Sequence, residues 1–408
     1  MSQPNSFILD AKQKEFIALM AILMSLVALT IDSILPALSL IGEELQVNDV
    51  NDTQLVLSGV FFGMAFGLMI YGPIADSFGR KKTLYLGIGI FLIGDLISIF
   101  AQDFSLMLFG RIAQGFGAAS CRVVTTAMIR DKFEGQQMGR VMSLIMVLFV
   151  IVPALAPSIG QLILWFAHWR AIFLFVLFVA ATGLALLYFR QEETLAPEHK
   201  RPFSVSSIAA AIKETITHPT TSLYTLAAGI VFGSFIGYLS SAQQILQLQY
   251  QTGEMFAIYF GTLAIAIGLA SFSNSKLVMK FQIEKLCLWA LFSLTALSIG
   301  FFSYYGYVDS QPSLTTFLIY LGLVFFCFGI LFGNLSTLAV QPLGHIAGIA
   351  TSVVASVQTL ISVAVGVAIG GAYDGTVMPL TLGFVLCGVS GFALALLARQ
   401  RSKRLATS

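Results

Sequence analysis

The sequence predicts an all-α polytopic membrane protein, with twelve transmembrane helices arranged as two pseudo-symmetric six-helix halves. Three observations carry this reading. Of 408 residues, 57% are hydrophobic and only 10% are charged, and the mean hydropathy is +0.88, so a soluble fold could not cover its surface with polar groups. Apolar runs of roughly 20 residues recur along the whole chain, and across lipid only a helix satisfies its own backbone over such a run. One long polar stretch, 191–219, forms a central loop and separates residues 1–190 from residues 220–408.

The first run, Phe16 to Ile41, is too long for a signal-peptide core and no small-residue cleavage site follows it, so it reads as the first span. Leu55 to Ala75, Thr83 to Gln102, Phe104 to Ile129, Gly139 to Phe166 and Trp169 to Phe189 complete the first half. After the loop with its EETLAPEHKRP segment (Glu192 to Pro202) and an amphipathic stretch come Thr220 to Gln243, Phe256 to Ser275, Leu286 to Tyr307, Leu314 to Val340, Ile346 to Tyr373 and Val377 to Ala398. The termini and the loops on their side hold 19 of the 22 Lys and Arg residues. Basic residues stay on the cytoplasmic face, so both termini are expected in the cytoplasm and the protein in the cell inner membrane.

Composition also excludes functions. A net charge of +2 leaves no basic excess for nucleic acid. Cys121, Cys287, Cys327 and Cys387 all lie in apolar runs without metal-ligand spacing, and His168, His199, His218 and His345 sit at span ends or in loops. No nucleophile, base or metal cluster appears, and no loop is long enough for a catalytic domain, so the chain is not read as an enzyme.

After the second span comes YGPIADSFGRKK, Tyr71 to Lys82. Gly72 and Gly79 permit close packing and a tight turn, Asp76 can accept hydrogen bonds at a helix end, and Arg80 to Lys82 anchor the loop inside. The pattern resembles the G-x-x-x-D-x-x-G-R-[RK] signature of the major facilitator superfamily, in the same loop. In span four, RIAQGFGAA matches the R-x-x-Q-G-x-G motif of the drug:proton antiporters of that superfamily through Arg111, Gln114, Gly115 and Gly117. The span-five antiporter motif G-P-x-x-G-G is represented by Ala156, Pro157, Ser158, Ile159, Gly160 and Gln161, which keeps Pro157 and Gly160 and replaces two glycines. WRAIF (Trp169 to Phe173), ETLAPEHKRPFS (Glu193 to Ser204) and the Asp32–Pro36 pairing in span one are similar to the Bcr/CflA-type exporters. This resemblance implies a twelve-helix rocker-switch exporter of small organic molecules driven by inward proton flow. It does not imply the substrate.

Charges inside spans are costly unless paired or facing a cavity, and four lie away from span ends: Asp32, Asp95, Arg111 and Arg122. At ~1.5 Å per residue, Asp32 and Arg111 each lie roughly 10 Å from the outer ends of their helices. Asp32 is the candidate proton carrier and Arg111 its electrostatic partner; the alternative is a permanent ion pair, with Arg111 hydrogen-bonded to helix carbonyls. Asp95, at a similar level, and Gln114 are candidates for support, by function or by helix packing. Arg122 follows Arg111 by 11 residues and shares its face, where it would favour an anionic substrate or else snorkel to the interface. Phe66, Tyr238 and Gln358 are candidate cavity linings. The expected function is export of a small amphipathic molecule, a drug or a cell metabolite such as a siderophore, by a protein that works as a monomer in the lipid bilayer with no cofactor beyond the proton gradient. An uptake symporter on the same scaffold is the alternative.

Overall fold

The computed structural model describes residues 10–200, 202–308 and 310–407. Arg201 lies outside them, as does the side chain of Arg140; both are among the basic residues counted for orientation. The N-terminal helices are α1 (Ala11–Asp32), the short α2 (Leu38–Glu44), α3 (Leu55–Phe78), α4 (Arg80–Ile99), α5 (Phe104–Lys132), α6 (Gly135–Phe166) and α7 (Arg170–Arg190). The C-terminal helices are α8 (Val205–Thr217), α9 (Pro219–Gln243), α10 (Phe256–Leu277), α11 (Ile283–Val308), α12 (Leu314–Val340), α13 (Ala347–Gly371) and α14 (Met378–Thr407). All but α2 and α8 are 20 residues or longer, enough to cross a hydrocarbon core. Among the described residues nine stretches are also apolar enough by composition, one of which, Leu314–Gly371, contains both α12 and α13.

Local chemistry sets the starts of these helices. Asp10 accepts a hydrogen bond from the Gln13 backbone at 2.6 Å while the Gln13 side chain accepts from the Asp10 backbone, a reciprocal cap on α1. Asp103 caps α5 and Ser313 caps α12 in the same way, and Pro219 occupies the first turn of α9, where its missing N–H costs nothing. The amphipathic stretch of the central loop is α8.

The first span departs from the sequence reading. It is not one helix: α1 stops at Asp32, a single tight turn runs over Leu35–Ala37, and α2 carries the chain on. Pro36 explains the break, because it has no N–H to donate to the preceding turn. Both the backbone N–H and the hydroxyl of Ser33 fold back onto the Leu29 carbonyl, at 3.2 and 2.5 Å.

α1, α3, α4, α5, α6 and α7 pack with one another, and α9 to α14 form a second group. The principal contacts between the groups are α3 against α13 and α6 against α10. Exchanging each helix for its counterpart six spans away converts one contact into the other, so the packing has the pseudo-twofold symmetry expected of a repeat.

The centre of the first group is α5, wedged between α3 and α4 by glycine. A Cβ on Gly63 would lie 1.9 Å from the Ile112 carbonyl oxygen, one on Gly115 1.9 Å from that of Val60, and one on Gly117 2.4 Å from the Phe91 nitrogen. Without a hydrophobic force between helices in lipid, such backbone-to-backbone contact supplies the dispersion energy that holds them. Gly63→Val should therefore cost about 3 kcal/mol or more through overpacking. Thermal unfolding in detergent should show a large fall for this variant and none for Gly300→Ala, whose added methyl meets nothing within 4 Å. Equal melting temperatures would contradict the packing.

Candidate transport site

The break in the first span places Asp32 at the end of a helix inside the protein. Asp32 is buried, and its carboxylate has no hydrogen-bond or ion-pair partner among the described residues. On α9 the Tyr238 hydroxyl is likewise buried and has no hydrogen-bond partner among the described residues. Gly160 keeps this arrangement tight: a Cβ there would sit 1.9 Å from the Ser33 carbonyl oxygen and 3.2 Å from the Pro36 ring. Pro157 and Gly160 thus belong to the face of α6 that passes the break.

The expected pairing of Asp32 with Arg111 is not what the structure shows. Arg111 is fully buried and spends its donors elsewhere. Its Nε donates to the Val56 carbonyl on α3 at 3.0 Å, one terminal nitrogen to the Thr30 carbonyl on α1 at 2.9 Å, and the other to the Gln114 side chain at 2.7 Å. Gln114 in turn donates to the Asp95 carboxylate at 2.6 Å. The physical reason lies in the helix break. The carbonyls at the end of α1 lack intrahelical partners, and a planar guanidinium with five donors reaches one of them, a second helix and an amide at once. Asp95 is thereby linked to Arg111 through Gln114. The Arg111 guanidinium also lies 5.5 Å from the Phe173 ring.

Tyr238 belongs to an aromatic wall. Its ring meets Phe325 edge-on at 4.8 Å and stacks on Phe260 at 6.0 Å, and Phe232, Phe235, Phe328 and Phe332 extend the cluster. Gln358 on α13 is half-buried and accepts a hydrogen bond from Ser336 on α12 at 3.2 Å. Phe66 stands apart from this wall: with Phe62 it forms an exposed aromatic pair on α3.

The loop motif after α3 forms a network. Asp76 and Asp131 both pair with Arg80, the latter at 3.1 Å. Gly79, at φ +108°, makes a turn that other residues resist, and a Cβ there would lie 2.5 Å from the Glu193 carboxylate. Glu193 accepts from the backbone N–H groups of Arg80 and Lys81 at 2.9 and 3.1 Å, an anionic cap on α4 supplied by the central loop. Gly72 faces Ser352 on α13. At the opposite face, Trp169 donates to Glu44 at 2.7 Å, and Arg170 binds Glu44 and the carbonyls of Ile99 and Ala101, each at 2.9 Å. The sequence offered these residues only through a resemblance; the contacts show them tying α2, α4 and α7 together.

The sequence did not show how the two helix groups are joined. Hydrogen bonds between them occur at the face opposite the termini. Asn51 donates to the carbonyls of Gly371 and Tyr373 at 3.3 and 2.9 Å, Gln244 donates to Asn51 at 2.9 Å and to the Val50 carbonyl at 3.3 Å, Gln243 bonds Ser39, and Trp165 donates to Glu254 at 2.9 Å. Gln244 opens a π-helical segment, Gln244–Gln249, a local irregularity often found at functional sites. The consecutive glutamines inside an apolar span were the available signal.

Two bundles of six helices, bridged along one pair of faces and latched at one end, with polar groups held at mid-depth, define a secondary transporter. The profile of the Major Facilitator Superfamily matches residues 20–367, and the chain belongs to that superfamily. It is 28% identical over 353 residues to a bicyclomycin resistance protein homolog of Haemophilus influenzae, covering 84% of this chain and 85% of that protein. A multidrug resistance protein MdtL of Vibrio parahaemolyticus is 26% identical over 339 residues, covering 80% and 81%. Among solved structures, a partially occluded inward-open form of the xylose transporter XylE from E. coli superposes with a TM-score of 0.73 at 13% identity, covering 95% of this chain and 97% of that one. A human organic anion transporter superposes with a TM-score of 0.68 at 15% identity, covering 96% and 99%. The protein is therefore a multi-pass membrane transporter, and it is not an enzyme.

The latch can be tested by labelling. Gln54 is buried at this seam, beside Gly370, so a cysteine at 54 should react slowly with a membrane-impermeant maleimide. Adding Asn51→Ala removes its bonds to Gly371, Tyr373 and Gln244 and should raise the labelling rate several-fold; an unchanged rate would show that Asn51 does not hold the seam.

Proposed function

We propose that the protein exports a small amphipathic organic molecule, a drug-like compound or a cell metabolite such as a siderophore, across the cell inner membrane in exchange for protons. It works as a monomer, with both termini in the cytoplasm and no cofactor besides the proton gradient. The observation that carries the reading is Asp32. A carboxylate buried at a helix break without a charged partner is a group that can take up and release a proton as access to it changes. Because Arg111 is satisfied by Thr30, Val56 and the Gln114–Asp95 pair, Asp32 is free to cycle without breaking an ion pair.

Two further facts support the reading. The aromatic wall around Tyr238 offers the apolar surface that an amphipathic molecule needs, and relatives spanning most of the chain carry names of drug resistance. The excess of Lys and Arg on the termini side sets the orientation, and the latch then closes the outer face.

Asp32→Asn keeps the side-chain shape but cannot carry a proton. In everted vesicles with an acid lumen, the wild type should accumulate substrate. The variant should show at least about tenfold less gradient-driven accumulation, a loss of transition-state or coupling free energy above roughly 1.4 kcal/mol, while folding and membrane insertion are unaltered. Wild-type accumulation by this variant would refute the role of Asp32.

A further inference from the structure

Arg122 is the one charge inside the spans that neither the proton site nor the Arg111 grip uses. It lies seven residues before Ile129, where the apolar run ends, or ~10 Å along the axis, about two turns from the interface. Arg130 and Lys132 already occupy that end. Snorkelling is therefore too far a reach.

Its direction follows from helix geometry. Eleven residues at about 100° each bring Arg122 to within about 20° of the Arg111 direction. Arg111 points at α1 and α3, where it meets the Thr30 and Val56 carbonyls. The neighbouring faces of α5 are closed: Ser120 crowds Gly87 of α4, and Ala119 crowds Gly67 of α3. Cys121, Ala118 and Val124 are fully buried. Arg122 nevertheless remains open to solvent, and a strip through the half-buried Thr126 to the exposed Arg130 continues toward the termini side. The Thr126 hydroxyl donates to the Arg122 carbonyl at 2.8 Å and leaves the guanidinium untouched.

No partner meets that guanidinium. Among the described residues it makes no ion pair and no side-chain hydrogen bond. Three acids at this end are engaged elsewhere, Asp131 and Asp76 with Arg80, and Glu193 with the start of α4. An unpaired cation at this depth of a span is costly, and a planar fork of donors fits a carboxylate or phosphate best.

We infer that Arg122 is the anion-recognition point of the transport pathway, and that the molecule carried bears a carboxylate or a comparable oxyanion on an apolar body. This rests on the reading of the chain as an exporter of an amphipathic molecule. It narrows that molecule to an anion, met first from the termini side, while the proton site at Asp32 remains a separate group on a different helix.

The test is binding, which needs no proton gradient and so does not depend on the role of Asp32. Purified protein in phosphatidylcholine nanodiscs would be titrated by fluorescence with three matched probes: dansylglycine, its uncharged amide, and dansyl-ethylenediamine, which carries an amine. The wild type should bind the carboxylate about tenfold more tightly than the amide, and the amine most weakly. Arg122→Gln should abolish the preference by losing affinity for the carboxylate alone, and Arg122→Lys should restore part of it, because the charge returns without the planar fork. A melting temperature matching the wild type would show that the Gln variant is folded. Two results would overturn the inference: an Arg122→Gln protein that keeps the wild-type ratio of carboxylate to amide, or one that loses all three probes equally.

Discussion

The interaction on which the rest depends is the grip of Arg111 on the broken first span. Pro36 ends α1 in mid-protein, and the break leaves main-chain carbonyls without partners in a place that water does not freely reach. Arg111 answers one of them at Thr30 and at the same time holds α3 at Val56. A guanidinium fully removed from solvent must in turn be compensated. Gln114 and Asp95 do this from the same helix and from α4. Four helices thus converge on one cation, and the position of Asp32, two residues past Thr30, is set by that convergence.

The glycines belong to the same constraint. Arg111 can reach Val56 only if α3 and α5 approach backbone to backbone, which Gly63 and Gly115 allow. Gln114 can reach Asp95 only if α4 approaches equally closely, which Gly94 and Gly117 allow. On the far side of the break, Gly160 lets α6 close over Ser33. Small residues therefore act here as spacers for a polar network, beyond their contribution to packing. At the face opposite the termini the two helix groups meet through amide hydrogen bonds. Amide bonds of this kind can break and re-form at little net cost, which suits a seam that must open.

Much of this was legible in the sequence, and the rest was not for physical reasons. The helices were readable because lipid demands long apolar runs, and the loop after α3 because Gly79 and Arg80 stand in a fixed pattern. The charges Asp32, Asp95, Arg111 and Arg122 stood out because they are rare in spans. Their pairing was not readable. Depth along a helix can be counted, but the choice of Arg111 between Asp32 and main-chain carbonyls depended on a break that Pro36 only hinted at. Gln114 was noted for its place in a motif, and only the coordinates reveal it as a bridge. Asn51 gave no signal at all, since a single amide in a polar loop is indistinguishable from a solvated one until its partner on another helix is known.

The most direct test of this arrangement is a double-mutant cycle between Arg111 and Asp95, measured by thermal or denaturant unfolding in nanodiscs with Arg111→Met, Asp95→Leu and the pair. If Gln114 transmits compensation between the two charges, each single change leaves a buried charge unpaired, and the double variant should be more stable than the sum of the single effects predicts by about 2 kcal/mol or more. Strictly additive losses would mean that Asp95 does not compensate Arg111 and that the network around the break is only a set of separate hydrogen bonds.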